Sequence, residues 1–496
     1  MIKILDAGQV PLSEILSRTE DKRDISGTVS GIIADVRQNG DAALLRYAKE
    51  FDHAELSSLE VPQEQMDKAL ADLSFDLRDV LEEAAENIRA FHKRQVQHGF
   101  VVNSKEGAVL GQKVTPIEKV GVYIPGGTAP LPSTVLMDCI PAKIAGCPEI
   151  VMVSPPACGG DINPAILAAA RIAGVNRVFR CGGAQAVAAL AYGTESVPAV
   201  DKIVGPGNAF VAEAKRQVFG KVGIDMIAGP SDILVIADGN SNVRHVAADM
   251  LSQAEHDKNA AAVLITDSSG LAQAVAEEIA CQLDTLPRQE IARASIEANG
   301  KIIITKDIPE AVRIANALAP EHMELCVDNP FDYLGLVKNA GSIFLGRNTP
   351  EAVGDYFAGA NHTLPTNGTA RFSNPLSVED FVKKSQFIYY SGGVFAEAAP
   401  KIAAFARQES LEGHARSVLV RTEQTGSRTG ATRKIVSARD EKSGIRYKII
   451  YVSGKDCYEL WSAAPQGERH LVARGTEDEV RAVYKRFIPA EKESEL

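Results

Sequence analysis

Lys119–Pro156, KVGVYIPGGTAPLPSTVLMDCIPAKIAGCPEIVMVSPP, alternates strand-like and helix-like segments. Two short runs rich in β-branched residues, KVGVYIP and EIVMVSPP, flank a longer apolar run, TVLMDCIPAKIAG, that ends on glycine. A strand, a helix and a second strand in this order form a unit whose two strands are parallel. The stretch therefore predicts an α/β fold built on a parallel sheet.

The same alternation continues towards the C-terminus. NPAILAAARIAG, RVFRCGG, AQAVAALAYG and KIVGPG follow directly, and a second round contains DILVIAD, AAVLITD, GKIIITKD and AGSIFLG. We predict two tandem Rossmann-like parallel-sheet domains, at residues 116–240 and 241–350. No G-x-G-x-x-G fingerprint occurs in strand–turn–helix context, and there is no G-x-x-x-x-G-K-[ST] motif, so an ordinary dinucleotide site is not predicted.

The flanking segments differ in character. Residues 1–115 interleave charged and apolar positions at helical spacing and are predicted to be a helical N-terminal region. Residues 351–422 are expected to be a loop-rich and helical C-terminal part of the main body, and the polar, Gly- and Thr-rich residues 423–435 a linker. Residues 436–496 are predicted to be a small β-β-β-α appendage, which either binds a partner or is a passive extra domain.

Composition limits the class of protein. The 496 residues are 45% hydrophobic and 24% charged, as in a globular protein, and no run approaches the ~20 apolar residues of a membrane span. The start lacks a secretory pattern, which predicts a cytoplasmic location. The net charge of −11 argues against nucleic-acid binding by the bulk of the chain. Seven cysteines, an odd number without C-x-x-C spacing, argue against a disulfide framework and a thiolate zinc site, so any metal is expected to use N and O ligands.

Four polar side chains in three separate motifs are candidate metal ligands. Gln253 and His256, in MLSQAEHDKNAA, are three residues apart and would project from one face of the predicted helix. Asp355 and His414 would complete an N2O2 shell suited to zinc, manganese or cobalt. Taken singly, each of these residues, like the nearby His362, is equally compatible with a helix cap, a core position or a solvated surface.

Glycine-rich loops are expected beyond the carboxyl ends of the strands, where such sheets bind ligands. The loops are YIPGGTAPLPS, CGGAQA, VGPGNAF, AGPSD, APEHMEL and GDYFAGANHTLPT. Several would present backbone N–H groups at a helix start to a phosphate or carboxylate. Simple turns remain an alternative interpretation of the glycine loops. For APEH, the alternative is the first turn of a helix, with Pro320 at its first position.

These loops, together with LSQAEHD and EGHARSV, resemble the histidinol dehydrogenase family from about residue 10 to about residue 422. The resemblance implies an NAD- and zinc-dependent oxidoreductase of histidine biosynthesis, which oxidises L-histidinol through L-histidinaldehyde to L-histidine and reduces two NAD. One position departs from the family. Leu131 stands where the family usually has an aromatic residue, which puts the local packing near the nucleotide in doubt.

The resemblance also implies a role for individual residues. It implies that the zinc ligands, one ion per site, are Gln253, His256, Asp355 and His414. It implies substrate contacts from the same four residues and from Ser231, His322 and Glu409, and NAD contacts from Tyr123, Gln185 and Asn208. Glu321 and His322 match the acid/base pair, and the implied assembly is a homodimer with shared active sites, without membrane or nucleic-acid partners for the catalytic body.

The implied chemistry is physically reasonable. An imidazole with an ordinary pKa near neutrality suits removal of the hydroxyl proton, and a carboxylate suits activation of the water needed before the second hydride transfer. Two other functions remain: a paralogous dehydrogenase of another small alcohol, such as a sulfonated diol, and a noncatalytic scaffold. The presence of the complete ligand set and of Glu409 favours histidinol over both.

Overall fold

The computed structural model describes residues 2–18, 24–126, 130–427, 433–440, 443–452, 456–465, 467 and 469–488. The chain divides into two compact units. The first consists of Met1–His98 and Val114–Ser385, and the second of Gly99–Lys113 and Gln386–Leu496. Parts of the first glycine loop (127–129) and of the predicted linker (428–432) lie outside the described residues.

The first unit contains a six-stranded sheet, here called the first sheet. Its strands, in spatial order, are Glu60–Val61, Arg177–Arg180, Glu149–Ser154, Lys119–Tyr123, Lys202–Val204 and Gly223–Ile224. All neighbours are parallel except the edge strand Glu60–Val61. The helices are Ser26–Phe51, Gln63–Ala71, Phe75–His92, Pro132–Ala145, Pro164–Ala173, Gly183–Tyr192 and Ala209–Val218.

Both faces of the first sheet are buried, and successive residues of one strand enter different cores. Ile150 and Met152 pack into one cluster, whereas Val151 and Val153 pack into the other. Because side chains alternate across a strand, a strand covered on both sides must be apolar throughout. This requirement explains why EIVMVS reads as a continuous apolar run.

The first unit also contains the second sheet, which is entirely parallel. Its strands, in spatial order, are Lys3–Asp6, Lys301–Ile304, Ala261–Thr266, Asp232–Ala237, His322–Cys326 and Ser342–Leu345. The helices are Leu12–Ile15, Val243–Ala254, Ser269–Leu283, Gln289–Asn299, Ile308–Leu318, Phe331–Leu334 and Glu351–Tyr356. The prediction of two parallel α/β sheets is therefore confirmed.

Several strands differ from the expected organisation. Lys3–Asp6 joins the second sheet, and the hairpin strands Phe100–Lys105 and Ala108–Pro116 also lie in the region expected to be helical. Asp232–Ala237 is central to the second sheet although it precedes residue 241. A four-residue strand is too short to show a period, and the partner of Lys3–Asp6 lies at Lys301–Ile304, far along the chain.

The second unit contains the hairpin Phe100–Lys105 and most of Ala108–Pro116, next to the greater part of Val382–Tyr390. Two helices follow, Gly392–Gln408 and Glu412–Ser427. The helix Glu412–Ser427 extends into residues 423–427, where a linker was expected, because the Thr- and Gly-rich composition does not prevent the helix from continuing for one more turn.

The C-terminal appendage has one more strand than predicted. Its antiparallel sheet has the order Arg433–Arg439, Arg446–Val452, Cys457–Ala463, Arg469–Gly475, and the helix Glu477–Tyr484 follows. The additional strand, Arg433–Arg439, begins within the stretch assigned to the linker. The strand is stabilised by its pairing with Arg446–Val452, which the Gly- and Thr-rich composition of the preceding segment did not predict.

Candidate active site

The motif loops lie at opposite edges of their two sheets. In the first sheet, the YIPG, CGGAQ and VGPGN segments follow strands and so lie at the carboxyl edge, as predicted. In the second sheet, AGPSD and APEH precede the strands Asp232–Ala237 and His322–Cys326 and therefore lie at the amino edge. The expectation of a carboxyl-edge site was wrong for these two loops, since each one comes before its strand in the sequence.

His322 is buried at the start of its strand, and APEH is not a helical turn. Its Nδ1 lies 3.0 Å from the carbonyl oxygen of Asp232. Because a carbonyl only accepts, Nδ1 carries the hydrogen and donates. The other nitrogen, Nε2, is buried without a hydrogen-bond partner among the described residues. It lies 3.6 Å from a carboxylate oxygen of Glu351 and 3.6 Å from one of Asp355. Nε2 is therefore the nitrogen that can exchange a proton with a ligand.

Asp232 holds both residues of the Glu321–His322 pair. Its backbone N–H donates to Glu321 Oε2 at 3.1 Å, and the backbone N–H of Glu321 donates to Asp232 Oδ1 at 2.7 Å. The second carboxylate oxygen of Asp232 accepts from Arg18 Nη1 at 2.9 Å. Together with the bond to His322, these contacts place two titratable side chains in defined positions.

The ionisable groups of the site shift one another's pKa. Burial raises the pKa of Glu321 to about 8 and that of Glu351 to about 7, and the positive charge of His322 opposes both shifts. Burial lowers the pKa of His322, but the carboxylates of Glu351, Glu321 and Asp355 raise it well above its usual value. Burial would raise the pKa of Asp355, but contact with His322 holds it below its usual value. His322 and Asp355 therefore favour an imidazolium–carboxylate pair.

Glu351 is a site residue that the sequence analysis missed. It begins the short helix Glu351–Tyr356 and is buried four residues before Asp355, so both carboxylates project from one helix face. Its backbone N–H donates to Glu324 at 2.8 Å. Potential ligand atoms of His322, Glu351 and Asp355 lie within 4.8 Å of one another. The E-x-x-x-D spacing after Pro350 was the available signal.

Gln253 and His256 are not on one helix. Gln253 is buried in the last turn of the helix Val243–Ala254, which ends two residues before His256. A tight turn follows, in which the N–H of His256 donates to the carbonyl of Gln253 at 3.2 Å. Burial lowers the pKa of His256, while the charge of Asp355 raises it, so Asp355 lies within electrostatic reach. The turn, and not helical spacing, directs His256.

The amide of Gln253 lies against the groups that surround His322. In the orientation that satisfies both of its ends, the nitrogen donates to Glu351 at 3.1 Å. The oxygen then accepts from the backbone N–H of Asp232 and from Nδ1 of His322, both at 3.3 Å. Gln253, His322, Glu351 and Asp355 therefore form one cluster, in which the first three are buried and Asp355 is partly exposed.

Ser231 and His362 lie beside the cluster with different partners. Ser231 immediately precedes Asp232, and its carbonyl accepts from the backbone N–H of Ala261 at 3.1 Å. The Nδ1–H of His362 donates to the carbonyl of Asp355 at 2.9 Å, and its Nε2 accepts from the hydroxyl of Thr134 at 3.1 Å. Both nitrogens of His362 are thus engaged, which favours a structural role for this imidazole.

The three residues expected to contact NAD lie at the carboxyl edge of the first sheet. Tyr123 ends a strand, and its buried hydroxyl accepts from the N–H of Gly183 at 3.1 Å, at the start of the helix Gly183–Tyr192. Gln185 is buried in the first turn of that helix. Asn208 is exposed and caps the helix Ala209–Val218, with its amide oxygen accepting from two N–H groups of the first turn. Two helix starts therefore face this edge.

Glu409 and His414 belong to the second unit. Glu409 follows the helix Gly392–Gln408, and His414 lies in the first turn of the helix Glu412–Ser427. Both side chains are exposed. Three of the four expected ligands are thus in the first unit, and the fourth is an exposed residue of the second.

A model of the histidinol dehydrogenase family matches residues 16–422, most of the chain. The chain belongs to the histidinol dehydrogenase family. The enzyme from Halalkalibacterium halodurans is 53% identical over 409 residues, covering 81% of this chain and 96% of that relative. The enzyme from Geobacter sulfurreducens is 52% identical over 411 residues, covering 82% and 96% respectively.

A solved histidinol dehydrogenase, from Elizabethkingia anophelis, has the same fold. It superimposes with a TM-score of 0.82 at 37% identity, covering 86% of this chain and 99% of the other. As a member of the histidinol dehydrogenase family, the chain is an NAD-dependent oxidoreductase. Residues after 422, which include the appendage, lie outside the family match. No helix in the described part of the chain is long and apolar enough to cross a membrane.

Proposed function

We propose that the chain oxidises L-histidinol to L-histidine in two steps, with L-histidinaldehyde as the intermediate and NAD as the hydride acceptor in each step. The carrying observation is the geometry of His322, whose Nδ1 is fixed by Asp232 while its buried Nε2 has no partner among the described residues. We further propose that it acts in the cytoplasm, as suits a biosynthetic dehydrogenase without a membrane-spanning helix among its described residues.

His322 is the proposed base of both oxidations, acting in its neutral form, which a bound cation would favour by offsetting the charge of the surrounding carboxylates. In the first, Nε2 accepts the hydroxyl proton as the carbinol carbon transfers a hydride to NAD, giving aldehyde, NADH and a proton. Nε2 must release this proton to solvent before the second oxidation, in which it accepts a hydroxyl proton of the hydrated aldehyde as the second hydride is transferred to a second NAD. The bond from Nδ1–H to Asp232 keeps the tautomer that this role requires.

Glu321 is the proposed activator of the water that adds to the aldehyde. Its carboxylate is buried beside His322, with Oε2 held by the N–H of Asp232 and 3.9 Å from Nδ1 of His322. A pKa of about 8 makes the ionised form an effective base near neutrality and leaves the protonated form available for the reverse transfer. Addition of water to the carbonyl must precede the second hydride transfer, since the acid product contains one more oxygen.

Gln253, His256 and Asp355 are the residues of the first unit proposed to hold zinc, with His414 as the fourth ligand. A divalent ion fits this part of the site, because potential ligand atoms of His322, Glu351 and Asp355 lie within 4.8 Å of one another, the amide of Gln253 contacts Glu351, and this group contains no thiolate. When bound, zinc would orient the imidazole and amine of histidinol and offset the carboxylate charge that raises the pKa of His322. Glu351 is a further potential ligand, because its carboxylate lies within 4.8 Å of potential ligand atoms of His322 and Asp355.

A chelator tests the metal proposal. Because the proposed ligands include no thiolate, a strong chelator is expected to remove the ion without unfolding the protein, and Zn²⁺ should restore activity. Metal analysis and circular dichroism accompany the assay. Full activity in protein shown to be metal-free would refute the ligand assignment.

The remaining proposed contacts are those with NAD and with the substrate. Tyr123, Gln185 and Asn208 are proposed to contact NAD at the carboxyl edge of the first sheet, where two helix N-termini suit the pyrophosphate. Ser231, His322 and Glu409 are proposed to contact the substrate, together with the four zinc ligands.

We propose a homodimer in which Glu409 and His414 complete the site of the other subunit. The second unit exposes several large apolar side chains, which favours an interface. The most exposed of these side chains are Val101 at 62%, Ile388 at 72%, Tyr389 at 60% and Phe405 at 69%.

The stoichiometry of NADH formation tests the reaction. Purified protein with L-histidinol should form two NADH for each histidine produced, with histidinaldehyde supporting one. A dehydrogenase of another small alcohol would leave histidinol unoxidised, and a noncatalytic protein would form no NADH with any alcohol. One NADH per histidinol, with aldehyde accumulating, would contradict the two-step proposal.

A further inference from the structure

The appendage sheet has one packed face and one open face. The helix Glu477–Tyr484 covers the packed face, and the core there includes Tyr447, Ile449, Leu460 and Tyr484. Because side chains alternate along a strand, the residues between these core positions project to the opposite side. The open face is therefore defined by residues such as Arg446, Lys448 and Trp461.

Strand pairing arranges the open face in rows. Arg446 pairs with Ala463, which pairs with Arg469, so two arginines flank a small residue. In the next row, Lys448 pairs directly with Trp461. A half-buried indole therefore lies beside a lysine, and two arginines lie one row away.

Three cations of the open face are exposed and have no ion pair among the described residues. Arg446, Lys448 and Arg469 have no ion-pair partner among the described residues, and all three side chains face solvent. Arg474 is different, because it donates to the carboxylate of Glu459 at 2.8 Å.

The indole of Trp461 is held in place. Its Nε1–H donates to the carboxylate of Glu459 at 3.0 Å, and that carboxylate is buried and also bound by Arg474. The acidic residues of the appendage helix, Glu477, Asp478 and Glu479, lie in its first turn on the element that covers the other face. Positive charge and an oriented aromatic ring are thus concentrated on the open face.

We propose that the open face of the appendage binds single-stranded nucleic acid. Phosphates would contact Arg446, Lys448 and Arg469, and a base would stack on Trp461. A flat sheet face that combines cations with an aromatic ring is a common way to bind single strands without sequence preference. An acidic peptide would use the same cations but would not need the oriented indole, which is why a nucleic acid is favoured.

Intrinsic fluorescence gives a direct test, because Trp461 is the only tryptophan of the chain. Full-length protein is titrated with oligouridylate and oligothymidylate of about 15 nucleotides at low salt, a length within the usual site sizes. Quenching of Trp461 is expected, and contact with three cations predicts a slope of about −2 for log affinity against log salt concentration. Comparison of the two oligonucleotides distinguishes an RNA from a DNA preference.

A matched pair of variants locates the site. Lys448→Gln with Arg469→Gln should weaken binding at least about fivefold and flatten the salt dependence. Lys485→Gln with Arg486→Gln removes the same charge from exposed positions just beyond the helix and should leave the affinity unchanged. Dehydrogenase activity should be the same in both variants and in the wild type, which separates this proposal from the proposed function.

Several outcomes would overturn the proposal. These are an absence of quenching at low salt, equal loss of affinity in the two double variants, or displacement of the oligonucleotide by NAD, which would place it in the nucleotide site. Equally tight binding and quenching by polyglutamate would identify an acidic protein as the partner instead. Circular dichroism of both variants checks that the appendage remains folded.

Discussion

Asp232 connects the residues proposed for catalysis with the N-terminal segment of the chain. Its backbone and side chain bind both Glu321 and His322, and Arg18 neutralises its remaining carboxylate oxygen. A group that holds two reactive side chains at once limits their motion to the geometry that the reaction needs. Substitutions at Glu321 and His322 can therefore be chosen to keep these contacts while removing the chemistry.

Glu321→Gln and His322→Asn should separate the two oxidations. Glutamine at position 321 keeps an oxygen that can accept from the N–H of Asp232. Asparagine at position 322 keeps an N–H that can donate to the carbonyl of Asp232. Both variants should therefore fold. His322→Asn should lower both oxidations by roughly 10²- to 10⁴-fold, whereas Glu321→Gln should mainly slow oxidation of added histidinaldehyde. The measurements are rates with each substrate and the KM for NAD, which should not change. Equal losses in the two steps for Glu321→Gln would remove its proposed role.

Asp138 predicts a pH dependence of stability. It is fully buried, its Oδ1 accepts from the hydroxyl of Thr363 at 2.7 Å, and its Oδ2 has no hydrogen-bond partner among the described residues. Burial raises its pKa to about 8, from an ordinary value of 3.8. Between these values the folded state keeps a proton that the unfolded state has lost. Its contribution to stability is therefore fully present below the unfolded pKa and is lost as the pH rises through the folded pKa.

Asp138→Asn removes this titration while keeping an acceptor for Thr363. Between about pH 5 and about pH 8.5 the wild type loses the stability that protonated Asp138 contributes, and the variant does not. The difference in free energy of unfolding, variant minus wild type, should therefore rise by at least about 1 kcal/mol over this range. Urea unfolding at the two pH values measures it. Parallel pH profiles for the two proteins would show that Asp138 ionises in the folded state as readily as in the unfolded one.

At the scale of elements, the glycine loop after Lys202–Val204 depends on close backbone packing. Gly205 has a φ of 112°, and a Cβ there would overlap the carbonyl oxygen of Tyr123. Its N–H donates to Asp225 at 2.8 Å, and its carbonyl accepts from the buried Lys215 at 2.9 Å. The loop is thus anchored on both sides where it meets the first sheet.

Gly205→Ala should therefore be much more harmful than Gly220→Ala. Both glycines have a positive φ, with a strain of about 1–2 kcal/mol for alanine, but a Cβ at Gly220 would have open space around it. The melting temperature of Gly205→Ala should fall further, and the KM for NAD should rise, with little change in KM for Gly220→Ala. Similar melting temperatures for the two variants would mean that the loop can move away from Tyr123.

At the scale of the whole molecule, the proposed shared sites can be tested by mixing two inactive variants. In a homodimer of either His256→Ala or His414→Ala, both sites lack a ligand. In a mixed dimer, one site receives both lesions and the other receives none. Random reassortment makes about half the dimers mixed, so roughly a quarter of wild-type activity should return.

Subunit exchange must be verified, for example with two affinity tags, because unmixed homodimers would also be inactive. The control is Glu351→Gln mixed with His256→Ala, two residues of the same unit, which should restore nothing. If exchanged His256→Ala and His414→Ala dimers stay inactive, each site is built from a single chain.

Local patterns in the sequence determined the fold class, and the resemblance of the loop motifs to a known family indicated much of the site. Apolar runs buried on both faces, such as EIVMVS, predicted parallel strands, and helix-ending glycines such as Gly146 and Gly174 marked the boundaries. The motif residues Gln253, His322 and Asp355 were named from the sequence, and the structure brings them together. These signals work because periodicity and turn chemistry involve only residues near one another in the chain.

Only the tertiary structure decided which distant groups meet. The pairing of Lys3–Asp6 with Lys301–Ile304, the contacts of Asp232 with Glu321, and the burial of Glu351 beside His322 join segments far apart in sequence. Such contacts depend on strand order and on the packing of helices against both sheet faces, which no local period records. The pKa of Glu321, raised by burial, belongs to the same class, because desolvation is a property of the folded surroundings and not of the residue itself.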